Sequence, residues 1–235
     1  MTDAHCHLRT GAKRHLICEP FSGERGEGDI VFYGVHPWAF LPESEPLSVT
    51  WLQDLRERLI NDPSAGVGEI GLDRLKDKEI SLSMREGFFA QLSLAFELGR
   101  NVVLHGAKCW GQVVAAIKKL QEEFKEKALS LPKMSFLFHG FSRSGGLIPE
   151  IAKLNGFISV GPAVLNDHAA NYRKLVAEIP SEILLLETDA TSEENIASLE
   201  EIAEEVASLR STSPSAIIAL NEFNLTRFLC PTTWV

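Results

Sequence analysis

The chain is poor in cysteine, with 4 in 235 residues. Cys6, Cys18, Cys109 and Cys230 are widely spaced and form no CxxC pair, which excludes a disulfide framework and a zinc finger and fits a reducing cytosol. Positive charge is scarce as well. With 23 Lys plus Arg against 32 Asp plus Glu, the formal charge is -9, and no general basic field exists to hold a phosphate backbone. A nucleic-acid role would need local cations or metals. No apolar run approaches the roughly 18 residues of a membrane span, and the N-terminal MTDAHCHLRT carries no apolar leader. A soluble, cytoplasmic protein without a membrane partner is expected. Low-complexity tracts, linkers and repeats beyond a strand-helix unit are absent too, so residues 1–235 read as one domain.

What is present is an ordinary globular composition, 45% hydrophobic with 17 Gly and 11 Pro, at a length sufficient for one large core. Short β-prone runs recur near residues 2–7, 14–18, 30–35, 65–70, 101–105, 134–139, 156–161 and 183–188. Most of the later ones precede a helical pattern, the signature of parallel strands joined by crossover helices. The clearest helix spans Glu79 to Leu98, where Met84, Phe88, Leu92 and Ala95 repeat on one face and Gly99 supplies the cap. Others are expected at 48–60, 111–129, 146–154, 168–178 and 192–209, the last starting at Ser192 before Glu193 and Glu194, with a final helix at about 215–229. The fold class is therefore an α/β (β/α)8 TIM barrel, slightly trimmed in its first two units, with a C-terminal helical segment.

In such a barrel the chemistry gathers where strands end. His5 and His7 stand on the first strand, His36 just past the third, Glu69 on the fourth, His105 on the fifth, His139 on the sixth and Asp189 past the eighth. Because a strand alternates faces, His5 and His7 point to the same side and can grip one divalent ion. Glu69 lies in GVGEIGLD, where glycines leave backbone room around a carboxylate whose unpaired burial would be costly. A set of four His, one Glu and one Asp suits two divalent ions, with Mg, Zn and Mn all open. Two metals about 3.5 to 4 Å apart would activate water and stabilise both oxygens of a phosphoryl displacement, with Asp189 and Glu69 as the catalytic carboxylates.

These motifs resemble the TatD-type metal-dependent deoxyribonucleases of the amidohydrolase-like barrels. DAHCHL is similar to the family's opening signature, GVHPW to its GxHP turn, GEIGLD to its glutamate motif, VVLH and FHGFSRS to its two histidine motifs, SVGPAV to its glycine strand, ETDA to its closing aspartate and NLTRFL to its ending. The resemblance implies that His5, His7, Glu69 and Asp189 hold one ion and that Glu69, His105 and His139 hold a second. It also implies a DNA or other phosphoester substrate cleaved by a metal-activated water. Asp3 and Glu187 are expected to orient ligands. His36, Lys108 and Arg143 are candidates to touch substrate, and Arg74, Trp38 and Trp110 are further basic and aromatic residues near the mouth.

Two departures bear on the substrate. The arginine usual after the fifth-strand histidine is replaced by the run Gly106, Ala107, Lys108, Cys109, Trp110, and Ala190 leads on without the family's Arg-Asn-Glu-Pro element. Hydrolysis of another small ester, amide or phosphoester therefore stays open, as does a non-catalytic binding protein on the same barrel. A monomer is the simplest expectation.

Overall fold

In the computed structural model, which describes residues 1–22, 25–194 and 196–231, the eight expected runs form eight strands. They are β1 (Thr2–Leu8), β2 (Arg14–Ser22), β3 (Ile30–Tyr33), β4 (Gly66–Asp73), β5 (Val102–Ala107), β6 (Phe136–Phe138), β7 (Gly156–Val160) and β8 (Leu184–Leu186). All seven successive pairs are parallel, in the order β1 to β8. The seam closes beyond β8, where the Asp189 amide donates to the His5 carbonyl at 3.0 Å and the His7 amide to that of Ala190 at 2.9 Å. Asp3 strengthens it by accepting from the Thr188 amide and hydroxyl at 3.0 and 2.6 Å. The result is a nearly closed barrel.

Helices follow the later strands: α1 (Trp51–Asn61), α2 (Leu82–Leu98), α3 (Trp110–Glu126), α4 (Ile148–Lys153), α5 (Ala170–Glu178), α6 (Leu199–Leu209) and α7 (Pro214–Leu229). Among the described residues no helix joins β1 to β2 or β2 to β3, so the trimming expected of the first two units is present. In α2 the Ser81 hydroxyl caps the start, Gly99 ends the helix at φ 62°, and Met84, Phe88, Leu92 and Ala95 are all buried. Two side chains of α7 tie it to the strands: Asn221 bonds the Leu186 amide and the Thr2 carbonyl, and Asn224 donates to the Leu184 carbonyl.

One helix starts later than its sequence suggests. The helix expected from Ser192 begins at Leu199, where Ser198 and Glu201 satisfy each other's backbone amides in a reciprocal cap. The intervening chain has another task, since Ala190 and Ile196 pack on Cys6, Leu8 and Ile17 of the first two strands. Among the described residues, no helix is long and apolar enough to cross a membrane.

Candidate metal centre

The strand ends surround a cavity of about 1000 Å³ whose wall includes His7, His36, Trp38, Glu69, His105, His139 and Asp189. Glu69 is at its centre, 1% exposed on β4. Its Oε2 lies 3.1 Å from His7 Nε2 and 3.7 Å from His5 Nε2, both from β1. Its Oε1 lies 2.5 Å from His105 Nδ1 on β5 and 2.5 Å from His139 Nε2 just past β6. Asp189 Oδ1 is 3.3 Å from His5 Nε2 on the far side. All six residues singled out as ligand types are thus brought together.

The glycines around Glu69 permit the strand contact. A Cβ on Gly68 would meet that of Val103 at 2.8 Å, and one on Gly71 would meet the His105 carbonyl oxygen at 1.9 Å. Bare backbone at both positions lets β4 and β5 approach and puts Glu69 beside His105.

The donor chemistry fits divalent cations. His5 is fully buried, and among the described residues its Nδ1 has no hydrogen-bond partner, while Nε2 only faces Asp189 Oδ1 at 3.3 Å. Orphaned buried polar atoms of this kind are rare and costly. His7 Nδ1 is 2.9 Å from the Cys18 carbonyl, which only accepts, so Nδ1 carries a hydrogen and Nε2 faces the Glu69 carboxylate at 3.1 Å. A proton or a cation has to stand between them. Among the described residues, three sets of ligand atoms each lie within 4.8 Å of one another: His5, His139 and Asp189; His5, His7 and Glu69; and His36, Glu69 and His105.

Electrostatics agree with a site built around one anion. Burial pushes the Glu69 carboxyl up, but the neighbouring His139 charge and the bonds from His105, His139 and His7 overcome it and hold the group well below the usual carboxylate range. Burial pulls His36 down to about 4, leaving it neutral with Nε2 3.8 Å from Glu69 Oε1. Asp3, raised to about 7 by burial, faces the seam through Thr188 rather than the cavity. Glu187 Oε1 accepts from the Gly140 amide at 2.8 Å and lies 3.8 Å from His139 Nδ1, too far for a hydrogen bond.

Other candidates fall elsewhere. Trp110 is no surface aromatic: it opens α3 at 3% exposure and packs on Phe138 and Phe141, filling the space over Gly106. Lys108 is exposed after β5 and is not part of the cavity wall, and Arg143 lines a separate surface cavity with His168 and Lys174. Arg74 donates to the Lys78 carbonyl of its own loop.

His36, already a candidate to touch substrate, gains a second role, and Asp73 gains one that the sequence did not give it. His36 belongs to a ligand-competent set, and Asp73 at the end of β4 is buried with Oδ2 3.2 Å from His105 Nε2 and 2.7 Å from Trp38 Nε1. Its signal was the last letter of GEIGLD, but a strand-terminal aspartate is common as a turn cap, and Asp73 Oδ1 does cap Leu75 and Lys76.

The family described as TatD related DNase matches residues 21–229. The chain belongs to that family. His5 and His7 precede the matched stretch, so it is the geometry around Glu69 that joins them to the family's region. An uncharacterised metal-dependent hydrolase of Bacillus subtilis, YabD, is 28% identical over 165 residues, covering 69% of this chain and 60% of its own. A 3'-5' ssDNA/RNA exonuclease TatD of Klebsiella pneumoniae is 32% identical over 125 residues, 53% of this chain and 44% of its own. The aligned part therefore spans less than two thirds of these relatives. In three dimensions the TatD homologue YjjV of Escherichia coli superposes with a TM-score of 0.71 over 97% of this chain and 96% of its own, at 22% identity, which shows a shared fold.

Proposed function

We propose that residues 1–235 act as one divalent-metal-dependent hydrolase unit that cleaves phosphodiester bonds, with single-stranded DNA as the first substrate to test. The observation that carries this reading is the division of Glu69: one oxygen faces the β1 histidines and the other faces His105 and His139. A carboxylate placed this way suits two ions, held by His5, His7, Glu69 and Asp189 on one side and by Glu69, His105 and His139 on the other. When bound, such ions polarise a phosphoryl oxygen and lower the pKa of a water.

The chain's own groups do the rest. The Asp189 side chain is 45% exposed to the cavity while its Oδ1 stays beside His5, so it can accept a proton from the attacking water. The Cys18 carbonyl fixes the tautomer of His7, Glu187 lies beside the far nitrogen of His139, and Asp73 faces that of His105. Names of relatives such as the Klebsiella exonuclease support a nucleic-acid substrate.

A second reading, hydrolysis of a small ester or amide, is favoured by one observation: among the described residues no Lys or Arg lines the cavity. A matrix of Mg, Mn and Zn against single-stranded DNA, duplex DNA, RNA, small phosphodiesters and a carboxyl-ester and amide panel separates the two. Metal-dependent cleavage of single-stranded DNA is expected. Turnover of esters or amides without any phosphodiester cleavage would overturn the first reading in favour of the second.

A further inference from the structure

Trp38 stands apart from the other exposed large apolar side chains of the described residues. It is 46% exposed, and of that group it alone lines the cavity. It opens off the 3-10 turn Pro37–Phe40 after β3, and its backbone amide donates to His36 Nδ1 at 3.2 Å, so the two rings are set edge to face with centroids 4.8 Å apart. The indole is also locked from behind. Its Nε1 donates to Asp73 Oδ2 at 2.7 Å, and that carboxylate is 2% exposed and fixed by the Leu75 and Lys76 amides.

With its polar atom satisfied, what Trp38 offers the cavity is aromatic surface in a preset orientation. The Lys76 ammonium lies 4.6 Å from its ring centroid, and among the described residues no carboxylate lies within 4 Å of that ammonium. An aromatic ring with a cation over one face and the other open to a ligand is a pairing by which proteins hold single-stranded nucleic acid, the ring taking a base and the cation the adjoining phosphate.

We propose that Trp38 is a base-stacking subsite of this centre, with Lys76 serving the phosphate next to the stacked base. The inference rests on the nucleic-acid reading above. It makes recognition base-dependent but sequence-tolerant, since every base has a π face.

The test compares KM for a single-stranded oligodeoxynucleotide with KM for an oligomer of equal length in which every base is replaced by an abasic tetrahydrofuran residue. In the wild-type chain the abasic oligomer is expected to show a KM about ten- to hundredfold higher, the worth of one or two stacked bases. In Trp38→Ala the two values should converge, and Trp38→Phe, which keeps a ring but loses the bond to Asp73, should keep most of the gap. A gap that survives Trp38→Ala, both substrates weakening alike, would mean that the indole only supports the wall, and the proposal fails.

If the wild-type chain cleaves neither oligomer, the nuclease reading fails by itself, and stacking is read from the Trp38 indole N–H resonance, assigned with Trp38→Phe. Thymidine monophosphate should then shift that resonance where inorganic phosphate does not. Equal response to both, or to neither, overturns the proposal.

Discussion

Glu69 Oε1 sits 2.5 Å from His105 Nδ1, across two adjacent strands whose backbones come close because neither Gly68 nor Gly71 has a side chain. The other nitrogen of the same imidazole faces Asp73 Oδ2 at 3.2 Å, so His105 is held between two carboxylates from one strand. A ring pinned at both nitrogens presents a fixed direction to whatever Glu69 binds.

Asp73→Asn should therefore weaken metal binding without abolishing it. Loss of a partner of this kind costs about 10- to 100-fold in metal affinity. Isothermal titration of the metal-stripped chain with Mn or Zn measures it, and affinity unchanged from wild type would show that Asp73 serves only as the turn cap of Leu75 and Lys76.

Gly71→Ala tests the strand approach. An added Cβ would lie 1.9 Å from the His105 carbonyl oxygen, which is backbone and has no rotamer to yield. Overpacking of this sort costs about 1 to 3 kcal/mol. Urea unfolding should show the loss, and metal affinity should fall with it because β5 carries His105. A substitution neutral in both assays would refute the close-packing argument.

Away from the centre, Asp29 organises the shortened first units. It accepts from the His15 amide and ring at 2.9 and 3.0 Å, from Arg9 Nε at 2.8 Å and from the Gly26 amide at 2.8 Å. Burial raises its carboxyl, but the bonds from His15 and Gly26 outweigh this and leave it below the usual range. A depressed carboxylate contributes stability that is fully present above the unfolded value, about 3.9, and is lost as pH falls through the lower folded value. Asp29→Asn should cost about 3 kcal/mol at neutral pH, and the difference from wild type should shrink in acid below that range. Chemical unfolding at a series of pH values reads it, and a difference that grew on acidification would contradict the assignment.

The barrel was legible because its strands are short apolar runs at regular spacing, and because His5, His7, Glu69, His105, His139 and Asp189 all stand where such runs end. The packing of Trp110 was not legible, because an aromatic in a run after a strand looks the same whether it faces solvent or, as here, fills the volume over a glycine. The start of α6 was misplaced because Ser192 and Ser198 are both followed by acidic residues, and only the packing of Ala190 and Ile196 on the first strands decides between them. The bond between Trp38 and Asp73 spans 35 positions and depends on how the turn after β3 lies over the end of β4. Periodicity carries no record of that.

The most direct test of the account is the metal content of Glu69→Gln beside its activity. Elemental analysis of the purified, metal-reconstituted chain is expected to find about two divalent ions in wild type, and the variant should lose most of that content together with phosphodiesterase activity. Retention of full metal content and activity by Glu69→Gln would contradict the claim that this carboxylate organises the centre.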